Sequence, residues 1–153
     1  MGTLNLEIPK ALDAEHAELH RDLKAVIGAG GRTGQAAEEV ADALHAHFER
    51  EEELALPPLA LLAPLAAGER APEFTQILAL TDRLRVELPR MLDEHKVIVA
   101  RLERLITVAN EEGRNDAATF ARRLMQHAAI EEQVTYPAAI LVGEFVKAGL
   151  RTG

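Results

Sequence analysis

The chain has 153 residues, a formal net charge of -8 and no cysteine. Its length suits one domain with a core of its own. The missing thiols exclude disulfides, thiolate metal sites and a cysteine nucleophile, and the acidic balance argues against nucleic acid or an anionic membrane as partner.

The opening stretch MGTLNLEIPK lacks an apolar signal core, and no apolar run reaches the roughly 18 residues of a membrane span, so a cytoplasmic protein is expected. Ala, Leu, Glu and Arg dominate, which favours helix. The first periodic segment covers residues 8–27, with Leu12, His16, Leu19, Leu23 and Val26 on one face. Glycine-rich GAGGRTG (28–34) ends it, and Thr33 is placed as the N-cap of the next helix. The second stripe is Val40, Leu44, His47, Glu51 and Leu54, closed by Pro57 and Pro58.

A helical pattern then runs over residues 72–112. As one helix it would be roughly 60 Å long, about twice the length of a small bundle. The expectation is therefore a short accessory helix near 73–87, followed by a third bundle helix that starts near Pro89, where a proline costs little, with a continuous helix kinked at the proline as the alternative. Its stripe is Leu88, Met91, His95, Ile98, Leu102, Leu105 and Ala109, ending near Gly113. The fourth stripe is Ala117, Phe120, Leu124, His127, Glu131 and Val134, until Pro137 interrupts it. Strand signals are absent. The reading is an all-α, up-down-up-down four-helix bundle: one domain over 1–153, with a core at 8–137 and an apolar C-terminal segment at 138–150.

Six positions on these inward faces carry His16, His47, Glu51, His95, His127 and Glu131 where Leu or Val belongs. Unpaired in a core, such groups cost several kcal/mol. A histidine and a glutamate four apart stand about 40° apart around a helix, so both reach one point. The second glutamates, Glu52 and Glu132, lie about 140° round and read as non-ligands at the helix edge.

The pattern is written twice. Glu15-His16 is followed by His47 after 31 positions, and Glu94-His95 by His127 after 32. Both later histidines open the frame H-x-x-x-E-E-x(4)-P. Two similar hairpins in an up-down bundle bring all six groups to one end, around a pseudo-twofold axis. Four imidazoles and two carboxylates so arranged suit two metal ions. Each takes two histidines, and Glu51 and Glu131 bridge both. An oxo or hydroxo bridge then leaves one open octahedral position per ion. Nitrogen and oxygen donors without sulfur point to iron first, with manganese or zinc behind it.

On these residues the chain resembles the hemerythrin-like (HHE cation-binding) domains, over roughly residues 8–137. The resemblance implies a non-haem di-iron centre that binds or reduces O2, NO or peroxide, with His16, His47, Glu51, His95, His127 and Glu131 as ligands. Oxygen-carrying hemerythrins have a fifth histidine on the third helix and an aspartate five after the last histidine. Here Met91 and Val99 flank His95 at four residues, and Glu131 stands four after His127. The chain is thus closer to bacterial HHE proteins, which sense oxygen or redox state, handle NO or peroxide, or supply iron for iron–sulfur repair. The repair group usually carries a cysteine-bearing N-terminal segment, which this chain lacks.

The resemblance leaves a binding or sensing module, a catalase-like or NO-reducing enzyme, and iron storage or delivery as the competing activities. A sensor would signal through a separate partner, and an enzyme would draw on a reductase. His20, four after His16, has two readings: a fifth histidine filling an open metal position, or a half-buried histidine bonded to a neighbouring carboxylate. Tyr136 falls off the ligand face and reads as packing near the helix end. Leu44, Phe120 and Leu124 are the expected pocket walls. The apolar segments PPLALLAP and AAILVGEFVKAGL are expected to roof the site or form a homodimer interface.

Overall fold

The computed structural model describes residues 6–69 and 72–152. Residues 1–5, read above for a signal core, lie outside them. In chain order the elements are α1 (Lys10–Gly28), α2 (Gly31–Leu54), a 3-10 turn (Pro57–Leu61), α3 (Leu62–Ala66), a second 3-10 turn (Pro72–Gln76), α4 (Ile77–Glu111), α5 (Asn115–Ile130), a π-helical turn (Glu131–Thr135) and α6 (Tyr136–Thr152). Among the described residues there is no strand. Nor, among these residues, is any helix long and apolar enough to cross a membrane.

α1, α2, the second half of α4 and α5 form the four-helix bundle, each packed on the next and α5 closing the ring on α1. The predicted stripes are its core: Leu19, Leu23, Val26, Val40, Leu44, Leu102, Leu105, Phe120 and Leu124 are all buried.

The start of α2 differs from expectation. Gly30 and Gly31, at φ 74° and 69°, reverse the chain, and the helix begins at Gly31, ahead of Thr33. Thr33 is buried instead of capping. Its backbone N–H and its hydroxyl both donate to Glu112 Oε1, at 2.6 and 2.5 Å. A carboxylate from the end of α4 thus does the capping work, set against the positive end of the α2 dipole.

The accessory helix near 73–87 and the break at Pro89 are corrected as well. Residues 77–111 form one helix, with Pro89 inside it. The buried positions Ile77, Thr81, Leu84, Met91, His95, Ile98, Leu102, Leu105 and Ala109 keep one inward face across the proline. Pro89 lies on the exposed face, so its missing N–H and its ring disturb no packing. Length was a poor guide because α6 covers the first half of α4, lengthening the molecule beyond the bundle.

That cover is built from the two apolar segments. Leu54, Leu56, Leu59, Leu84, Met91, Tyr136 and Ala139 make a second core, and Leu61, Phe74, Ile77, Val142 and Val146 a third. Together they roof the end of the bundle where the stripes turn polar. α6 lies close on α4 at Gly143, where an added Cβ would stand 2.2 Å from Thr81 Oγ1.

Gly143→Ala is expected to destabilise the fold by about 1–3 kcal/mol, since the buried Thr81 has little room to yield. Calorimetry should show a melting point lowered by roughly 2–4 °C per kcal/mol.

Candidate metal centre

All six predicted side chains converge in one layer. His16, His47, Glu51, His95 and Glu131 are each at most 3% exposed, and His127 keeps 11% of its side chain accessible. Apolar residues close both sides. Phe48 and Ile98 belong to the bundle core, and Leu54 and Met91 to the core under the roof. The layer falls there because each helix carries its polar residues at one height on an otherwise apolar stripe.

The two carboxylates divide their oxygens. Glu51 turns Oε1 to His47 and His95, pairing with His47 Nε2 and lying 3.9 Å from His95 Nε2. Its Oε2 lies 3.6 Å from His16 Nε2. Glu131 places Oε1 3.4 Å from His95 Nε2, and Oε2 3.3 and 3.8 Å from His127 and His16 Nε2. Two overlapping groups result: His16, Glu51, His127 and Glu131, and His47, Glu51, His95 and Glu131, with donor atoms within 4.8 Å of one another in each. A carboxylate with one oxygen in each group has the disposition of a bridge between two cations.

The outward ring nitrogens meet a second tier of glutamates. His47 Nδ1 is 3.1 Å from Glu94, His95 Nδ1 3.0 Å from Glu132, and His127 Nδ1 2.5 Å from Glu15. His16 Nδ1 lies 3.8 Å from Glu52, an ion-pair distance too long for a hydrogen bond. Arg50 grips Glu94 through Nη2 at 2.6 Å and Nε at 3.2 Å. In each case the glutamate stands on the neighbouring helix, so the contacts run around the bundle in a closed circuit. A carboxylate at Nδ1 holds the proton there and leaves the Nε2 lone pair facing inward. Glu52 and Glu132 thus work at the helix edge, as expected. Their targets, and the parts of Glu15 and Glu94, were not foreseen. The repeated E-H and E-E pairs were the available signal.

Tyr136 is a larger surprise. It is fully buried, and its hydroxyl sits 3.0 Å from Glu51 Oε1, 3.2 Å from His47 Nε2 and 3.1 Å from His95 Nε2. The cause is the π-helical turn, in which the Tyr136 amide reaches back five residues to the Glu131 carbonyl. The wider turn swings residue 136 onto the ligand face and leaves Val134, predicted inward, 60% exposed. Pro137 explains the turn. In a regular α-helix its ring would clash with the carbonyl of Gln133, and it has no N–H to give there.

His20 stands outside both groups. It is exposed, and its ring meets Phe48 edge-on at 4.9 Å. Phe48 in turn stacks on His16 at 4.6 Å. His20 therefore touches the wall of the site rather than a ligand position. Leu44, Phe120 and Leu124 lie in the bundle core beneath the layer.

Without a cation the cluster balances its charge with protons. Burial pushes the Glu51 carboxyl up, aided by the Glu131 carboxyl beside it. Burial acts on Glu131 too, but the neighbouring Glu51 carboxyl and the His127, His16 and His95 imidazoles hold it well below the usual carboxylate range. Burial pulls His16, His95 and His127 down, and the carboxylates outweigh it, so all three are raised, His95 to about 10. Burial and the two carboxylates push the Tyr136 hydroxyl up, keeping it a neutral donor to Glu51.

Protons do not satisfy everything. Glu51 Oε2, Glu131 Oε2, His127 Nε2 and His16 Nδ1 are buried with no hydrogen-bond partner. An unpaired buried polar atom costs about 1–3 kcal/mol. Three of these four atoms face one interior point, and a cation there would satisfy them together. The residues therefore fit metal ions, with four nitrogen and up to four carboxylate oxygen donors and no sulfur.

The family model described as the hemerythrin HHE cation binding domain matches residues 7–139. The chain therefore belongs to that family of cation-binding domains. No curated protein and no solved structure matches the chain.

Two outcomes follow from the geometry. Glu132→Ala frees His95 to rotate and should weaken metal affinity about 10- to 100-fold, measured by competition with a chelator. In the metal-free protein the raised His95 stabilises the fold fully below its ordinary value of 6.5 and loses that contribution as pH climbs to about 10. Urea midpoints of the metal-free protein should fall across that window, and fall less in His95→Ala.

Proposed function

We propose that the six-residue cluster holds two iron ions and that the protein uses them to bind or reduce a small oxidant: O2, NO or peroxide. The observation that carries this reading is the division of oxygens by Glu51 and Glu131, one toward each histidine group. A single ion would need no such symmetry. When bound, iron supplies the electrons and the open coordination position that such an oxidant needs.

The protein's own part is structural and electrostatic. Glu51 and Glu131 set the spacing of the two positions. Glu15, Glu94 and Glu132 orient the imidazoles they touch. The apolar cores on both sides keep bulk water out. A groove of about 390 Å³ lined by Leu88, Leu92, Glu132, Pro137, Ile140 and Leu141 leads to Tyr136. Apart from Glu132 its walls are apolar, which suits a small uncharged molecule better than an anion. Metal uptake must displace the protons held by Glu51 and the histidines, so affinity rises with pH.

Metal analysis and the visible spectrum of freshly purified protein test the first half of the proposal, with two irons per chain expected. Stopped-flow mixing of the reduced protein with O2, peroxide and NO tests the second. A stable adduct identifies a binding or sensing module, and sustained turnover an enzyme. Inertness toward all three, with ready release of iron to a chelator, would replace this reading with storage or delivery.

A further inference from the structure

The two H-x-x-x-E-E-x(4)-P frames are matched in backbone as well as in sequence. In the second, the amide of Tyr136 bonds the Glu131 carbonyl five residues back. In the first, the amide of Leu56 bonds the Glu51 carbonyl, also five back, at 2.9 Å. A proline follows each, at 57 and 137. Both fifth residues are buried against one another's core, Leu56 at 1% exposure and Tyr136 at 0%. At this position one frame carries a hydrocarbon and the other a phenol.

The hydroxyl's distances to His47 Nε2, His95 Nε2 and Glu51 Oε1 all lie between 3.0 and 3.2 Å. Adjacent donors around an octahedral cation with bonds of about 2.1 Å are spaced by about 3.0 Å. Tyr136 therefore sits where a fourth neighbouring donor of that group belongs. The other group shows the complementary state. Its Glu51 Oε2, Glu131 Oε2 and His127 Nε2 lack hydrogen-bond partners, while no atom of the Tyr136 group that faces inward does.

The geometry points to an unequal pair of metal positions, in which the Tyr136 oxygen is a seventh protein ligand on the His47/His95 side. The exchangeable position then lies on the His16/His127 side, beside Phe48. This inference rests on the metal reading above. A ligating phenol gives up its proton to solvent as the cation binds, as other ligands do. The tyrosine also ends the apolar groove. It thus stands between that groove and the position it fills.

The test compares iron-loaded, oxidised wild-type protein with Tyr136→Phe. The wild type should show a phenolate-to-iron charge-transfer band, with tyrosinate vibrations enhanced in resonance Raman, and should bind one azide per pair of irons. Tyr136→Phe should keep two irons per chain, lose the band and bind two azides. Two irons per chain with no such band in the wild type, or the same azide stoichiometry in both proteins, would overturn the assignment and leave Tyr136 as a hydrogen-bond donor to Glu51. A wild-type chain that takes up no metal would overturn the metal reading itself, and this inference with it.

Discussion

Everything in this fold is arranged around the cost of burying charge. Five of the six ligand-type side chains are almost completely withdrawn from water, and none could stay there alone. The structure meets that cost with compensation at two depths. Inside, Glu51 and Glu131 face four imidazoles. Outside, a further glutamate approaches each imidazole from the next helix. The apolar cores above and below lower the local dielectric and so strengthen every pairing between them. The same low dielectric makes the unsatisfied atoms of the His16/His127 group the strongest argument for cations.

Much of this was legible in the chain. The inward stripes are periodic, and histidines and glutamates on such stripes are conspicuous because they violate the pattern. Spacing alone placed His16, His47, Glu51, His95, His127 and Glu131 at one level. What could not be read were relations between helices. That Glu132 would meet His95 and Glu15 would meet His127 depends on the rotation and neighbour order of helices, which periodicity leaves open. Thr33 was misread for the same reason: its partner, Glu112, lies 79 residues away.

The prolines taught a different lesson. Pro89 and Pro137 both interrupt helical patterns, and both were read as boundaries. Neither ends a helical course. Pro89 lies on an exposed face and is absorbed within α4. Pro137 sits where its ring faces the preceding turn, and the chain responds by widening that turn. The consequences for residues 134 and 136 reverse the expected faces. A proline ten residues after the histidine, together with a polar aromatic immediately before it, is the signal that a regular period conceals.

The closed circuit of outer glutamates couples the orientation of each ring to the packing of the next helix. Three of its joints are close enough for hydrogen bonds and the fourth, His16 to Glu52, is a looser ion pair, so a helix that turned would carry its neighbour's imidazole with it.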